Sequence, residues 1–94
     1  MATRKRHRDA FAALGYTIEE YFIEGWPPVW GTAIQKNGKD VMVIETHGCH
    51  TEDDSLRNKY VVKGHRGHVN THTYSVHRLK REALGNAARL LNRV

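Results

Sequence analysis

Apolar residues at Ala10, Phe11, Ala13 and Leu14 mark one side of a short helix over 3–14. Thr3 is its candidate cap, and Gly15 is placed to stop it. Four cations crowd its first turn, at the positive end of the helix dipole. Arg4–Arg8 are therefore expected to fray or to be held by an anion. Tyr16, Ile18 and Phe22 then alternate with Thr17, Glu19 and Tyr21, the period of a strand. Thr17 with Glu20 also fits a capping box, but the β-branched and aromatic content favours a strand over 16–24. Gly25-Trp26-Pro27-Pro28 breaks the pattern as a turn or extended connection.

A hairpin is predicted over 29–46. Asn37-Gly38 is the dipeptide that a two-residue type I′ turn requires, because both positions need φ > 0. Unbroken pairing from that turn sets Lys36 opposite Lys39, Ile34 opposite Val41, Thr32 opposite Val43 and Trp30 opposite Glu45. Residues 47–58 read as a loop containing Glu52-Asp53-Asp54. Tyr60–Lys63 reads as a short edge strand, with Lys63 discouraging further pairing. Residues 64–72 read as a Gly- and His-rich loop. A final helix is predicted from about Thr73 to Val94. Val76, Leu79, Ala83, Ala87, Leu90 and Val94 form its apolar stripe, flanked by Leu84 and Leu91, with Arg78, Arg81, Arg89 and Arg93 on the opposite side.

The expected fold class is α+β: a small antiparallel sheet of three or four strands around the 29–46 hairpin. The short N-terminal helix and the long amphipathic C-terminal helix pack on one face. Ninety-four residues make a single domain over 1–94, with 1–8 a loose basic tail. Hydrophobic content of 39% with 27% charged residues suits a globular chain rather than a disordered one. No apolar run reaches the roughly 18–20 residues that span a bilayer, so no membrane partner is expected. The basic N-terminus has no apolar h-region. One cysteine, Cys49, cannot form an internal disulfide or a Cys-rich zinc site, which fits a reducing, cytoplasmic setting.

Charge sorts the chain into thirds. Residues 1–9 carry Arg4, Lys5, Arg6 and Arg8 against Asp9, a net of +3. Residues 10–56 carry two lysines against eight acids, a net of −6, and residues 57–94 carry nine cations against Glu82, a net of +8. A polyanionic partner is the natural expectation for the two ends. The candidate contacts to nucleic acid, a nucleoprotein or an acidic protein surface are Arg4, Lys5, Arg6, Arg8, Lys63, Arg66, Arg78, Arg81 and Arg89. Arginine's planar donor fork suits phosphate, and the C-terminal helix lacks the mixed-sign pairs of a face built for solubility. Gly85, mid-helix on the polar side, either admits another backbone or is tolerated at a cost.

Other chemistry is thinner. Imidazoles at 47, 50, 65, 68, 72 and 77 with Cys49 are zinc-type ligands, but no standard ligand spacing occurs. His68-Val69-Asn70-Thr71-His72 has the letters of a His-Asn-His nuclease without its separation over a hairpin and helix. Asp40 and Glu45 are odd-spaced on one strand, hence on opposite faces, a poor carboxylate pair. No nucleophile context or phosphate-binding Gly-rich loop appears, so a non-enzymatic protein without cofactor is expected. Tyr21, Phe22, Trp26 and Trp30 are expected in the core. An exposed Trp26 would instead mark a protein-binding patch or a base-stacking platform. A small inhibitor or adaptor of the virus-encoded type, as anti-CRISPR proteins are, is the alternative function, and a His-based metal site the second.

The order helix, three antiparallel strands, helix resembles the double-stranded RNA-binding domain. The segment Lys80-Arg81-Glu82-Ala83-Leu84-Gly85-Asn86-Ala87-Ala88 is similar to that family's basic, alanine-rich final helix. The resemblance implies recognition of duplex shape and phosphates. Leu84 stands where the family has a phosphate-binding lysine, no histidine follows Pro27-Pro28, and about thirty residues separate the hairpin from the helix.

Overall fold

The computed structural model describes residues 3–26, 28–47, 56–67 and 73–93. Cys49, His50, Glu52-Asp53-Asp54, His68 and His72 fall outside them. The chain runs α1 (Lys5–Ala13), β1 (Thr17–Ile23), β2 (Val29–Lys36), β3 (Lys39–Thr46), β4 (Tyr60–Lys63), β5 (Thr73–His77) and α2 (Lys80–Asn92). The five strands form one antiparallel sheet in sequence order. The class is α+β as expected, with one strand more than expected and a C-terminal helix of 13 residues.

That extra strand comes from the start of the expected long helix. Thr73-Tyr74-Ser75-Val76-His77 is β-branched and aromatic, and its apolar spacing fits either period. Pairing with β4 decides the matter. β4 is thus interior to the sheet, and Lys63 does not guard an edge. Val76 and Leu79 leave the helical stripe and are exposed, while Ala83, Leu84, Ala87 and Leu91 form the buried face of α2.

α1 ends as the sequence indicated. Gly15 takes φ 93°, its N–H donates to the Ala12 carbonyl at 3.0 Å, and the Tyr16 N–H donates to the Phe11 carbonyl at 2.9 Å. This is a Schellman cap, with Phe11 and Tyr16 packed into the same core. The start differs. Arg4 is the N-cap with no side-chain cap, and residues 5–8 form the first turn rather than a loose tail.

The Asn37-Gly38 turn has φ of 55° and 77°, as type I′ demands. Lys36 pairs with Lys39 and Gln35 with Asp40, but Ile34 then pairs with Met42. Val41 is a bulge, which shifts the expected register by one and reverses the facing of every later residue in β3. Ile34, Met42, Ile44 and Val62 consequently share the helix-covered face with Phe11, Leu84 and Leu91. Asp40 and Glu45 fall together on the opposite face, not on two faces.

On that opposite face Tyr21 lies across Gly31, and its hydroxyl donates to Glu45 Oε2 at 2.5 Å. A Cβ at Gly31 would fall inside the tyrosine ring. Gly85 is the contrary case, with open space where its Cβ would be. Gly31→Ala is expected to lower stability by about 1–3 kcal/mol through overpacking. Gly85→Ala is expected to raise it by about 0.5–1 kcal/mol through helix propensity. Urea midpoints of the two variants check both signs.

Candidate functional site

Glu20 sits in the middle of β1 and faces the helices. Its Oε1 accepts the Thr3 backbone N–H at 2.9 Å and the Thr3 hydroxyl. Its Oε2 accepts the Thr32 hydroxyl at 2.7 Å and lies 3.5 Å from Lys80 Nζ. Arg8 approaches Oε1 at 3.7 Å, while its own N–H groups donate to the Thr3 and Ile18 carbonyls at 3.2 Å. Burial pushes the Glu20 carboxyl up, but the bonds from Thr3 and Thr32 and the charge of Lys80 outweigh it, and the pKa falls below its ordinary value. Lys80 responds differently. Its burial lowers the ammonium's pKa, and a 3.5 Å pairing with Glu20 does not make up the loss.

This carboxylate brings the starts of both helices together, and with them the two basic ends of the chain. His7 on α1 is lowered by burial, then by the charges of Arg6, Arg4 and Lys80. Lys80, the first residue of α2, in turn feels Arg8. Of the cations crowded at the start of α1, Arg8 approaches this internal carboxylate and Lys5 pairs with Asp9, while Arg4 and Arg6 stay exposed. Thr3, the expected cap, serves as Glu20's donor instead.

Beside Lys80 the helices leave part of the sheet uncovered, and a cavity of about 560 Å³ opens there. Thr32, Ile44 and Thr46 floor it; Phe22, Trp30 and Tyr60 supply aromatic walls; Glu20 and Lys80 stand at its polar side. Phe22 and Trp30 are cross-strand partners with ring centroids 5.2 Å apart and planes tilted by 55°. They remain 50% and 43% exposed, and Trp26 on the β1–β2 connection is 80% exposed. These three residues were expected in the core. They lie at the end of β1, on the connection and at the start of β2, and neither helix covers them.

The expected phosphate contacts separate into two groups. Arg4 at the N-cap and Lys5 and Arg6 in the first turn of α1 are exposed, with Lys5 also 2.9 Å from Asp9 one turn on. Arg78, in the turn before α2, and Arg81 and Arg89 on the helix are exposed, and Arg89 reaches Asn86 Oδ1 at 3.5 Å. Arg8 is tied inward. Lys63 and Arg66 belong to the other side of the sheet and to internal pairs. Buried Lys63 lies 2.9 Å from the fully buried Glu45 and also bonds the Gly67 carbonyl. The Gly67 N–H donates to Glu45 at 2.7 Å. Arg66 grips Asp40 at 2.5 and 3.0 Å, approaches Glu19 at 3.5 Å and stacks 4.2 Å from the Tyr21 ring. Arg66's hydrogen bonds hold the Asp40 carboxyl below its ordinary pKa. Burial and the bond to Glu45 push the Tyr21 hydroxyl well above its own.

Among the described histidines, His47 is buried, His65 is exposed, and His77 Nε2 is hydrogen-bonded to Ser75 Oγ at 2.7 Å. No group of three metal-type ligands converges among the described residues. No helix among them is long and apolar enough to cross a membrane. Glu20 and Lys80 are not among the residues that the sequence pattern marks for a site. Their signal was weak: Glu20 looked like a capping-box partner, and Lys80 like one more cation. No protein-family model, curated protein or solved structure matches the chain.

The pKa directions fix the sign of acid destabilisation. His7 is depressed in the folded state, so stability falls as pH drops below its ordinary 6.5 and the unfolded chain takes up the proton first. Glu20 is also depressed, so its contribution, present above 4.5, is lost as pH falls below that value. Urea midpoints against pH are expected to show a shallower acid limb for His7→Gln below 6.5 and for Glu20→Gln below 4.5. At neutral pH Glu20→Gln is expected to cost about 1.5–3 kcal/mol, the range for hydrogen bonds to charged groups.

Proposed function

We propose that this protein is a non-enzymatic nucleic-acid-binding module. Its phosphate-binding surface is made by the start of α1 and the outer side of α2. The observation that carries this reading is the meeting of the two basic chain ends at Glu20. Arg4, Arg6 and Lys80 act on one imidazole, His7. The carboxylate at their meeting point, Glu20, is already engaged by Thr3, Thr32 and Lys80. Arg78, Arg81 and Arg89 extend the cationic surface along α2, with Glu82 as the acid of its first turn. Both helices begin here without a side-chain cap, so the partial positive charges of their first turns add to the side chains. Neutralised phosphates release counterions, and such a surface binds with a steep dependence on salt.

The other reading, an inhibitor or adaptor that docks on a host protein, draws support from the exposed rings of Phe22, Trp26 and Trp30. Co-purification with a defined protein that survives nuclease treatment would favour it.

Binding to a labelled oligonucleotide across a salt series separates these readings. Affinity is expected to fall linearly in log–log form. Arg6→Gln and Arg81→Gln are each expected to reduce the slope by about 0.7–0.9, one phosphate contact apiece. Lys39→Gln, at the hairpin turn, is expected to leave it unchanged. Bound phosphate also favours the charged imidazole, whose pKa in the free protein lies below 6.5, so affinity is expected to rise as pH falls below 6.5, and His7→Gln to remove that rise. Salt-independent affinity, or no binding at low salt, overturns the proposal.

A further inference from the structure

We infer that the cavity beside Lys80 receives one unpaired base, so the nucleic acid recognised is single-stranded. This rests on the phosphate reading above and adds to it the class of substrate. A volume of about 560 Å³ lies within the range of pockets that hold small ligands, about 300–1,000 Å³. Its walls offer the surface a base seeks. Phe22 and Trp30 keep about half of their area uncovered while held against one another, and Tyr60 lies opposite. Rings fixed by strand pairing lose little freedom when another ring stacks on them.

Charge complementarity selects the occupant. Lys80 stands at the side of the cavity, and Arg4, Arg6 and Arg8 lie within electrostatic reach of it or of His7 beside it. A base in the cavity therefore brings its phosphate to the cationic side. The carboxylate that also lines the cavity, Glu20, has both oxygens engaged by Thr3, Thr32 and Lys80. It leaves little demand for a particular base edge, and stacking on aromatic rings tolerates any base. The expected preference is thus for strandedness rather than sequence. A paired base has its faces covered in the stack and reaches Trp30 only by being flipped out, which disfavours duplex. This sets the chain apart from the duplex recognition implied by the resemblance to double-stranded RNA-binding domains.

The test compares an oligothymidine with a blunt duplex of equal phosphate number, by fluorescence anisotropy at fixed low salt. The single strand is expected to bind the tighter. Trp30→Ala is expected to weaken single-strand binding about 5- to 150-fold, the range found when a stacking aromatic is truncated. It should leave duplex binding and the salt slope in place. Trp30→Phe, which keeps a ring, should retain most of the affinity and guards against a folding defect. Equal weakening of both ligands, or no change with Trp30→Ala, overturns the unpaired-base inference while the Arg6 and Arg81 slope changes still stand. Absence of binding by either ligand overturns the phosphate reading and this inference with it.

Discussion

A single carboxylate, that of Glu20, fixes how the helices meet the sheet. Its two oxygens take donors from the segment before α1, from β2 and from the first residue of α2. A half-buried anion without donors would be costly, and half-buried cations without it equally so. The arrangement therefore holds only when both helix starts and the sheet are in place together. Glu20 thereby offsets one cation in the first turn of α1, Arg8, at a helix start that has no side-chain cap. The compensation that a capping side chain or an acidic first turn would give comes instead from a neighbouring strand. The same carboxylate draws the chain's two basic ends to one place and sets the polar side of the aromatic cavity.

The opposite face of the sheet obeys a similar constraint with a different outcome. Glu45 is fully buried there and is reached by Lys63, the Tyr21 hydroxyl and the Gly67 N–H. Arg66 closes over Tyr21 and joins Asp40 to Glu19. Burial of an ion pair is a weak source of stability, but removal of one partner would leave an uncompensated charge. Such a network fixes the path of the Gly64–Gly67 segment across the sheet more than it adds free energy. Gly31 makes it possible, since any larger residue would lift Tyr21 away from Glu45.

Together the two faces explain the sorted charge of the sequence. Glu19, Glu20, Asp40 and Glu45 all come from the acidic middle, and Arg8, Lys63, Arg66 and Lys80 from the basic ends. Part of the sorting is intramolecular complementarity between strands and the segments that cover them. Arg4, Lys5 and Arg6 at one end and Arg57, Arg78, Arg81, Arg89 and Arg93 at the other stay exposed.

Local rules were enough for much of the fold. Alternation in 16–24 marked β1, Asn37-Gly38 marked the turn between β2 and β3 by requiring positive φ, and Gly15 marked the end of α1. These features depend on residues close in sequence, whose backbone preferences act before any tertiary contact forms. The bulge at Val41, the strand at Thr73–His77 and the exposure of Phe22 and Trp30 could not be read that way. Each depends on which surface another segment covers, and a period-2 or period-3.6 pattern is silent on that. The site shows the difference most clearly. Sequence determined that positive charge lies at the two ends. Only the tertiary structure decided which cations are engaged inside and which stay exposed, because ion pairing acts through space, and Glu20 meets a lysine sixty positions further along the chain.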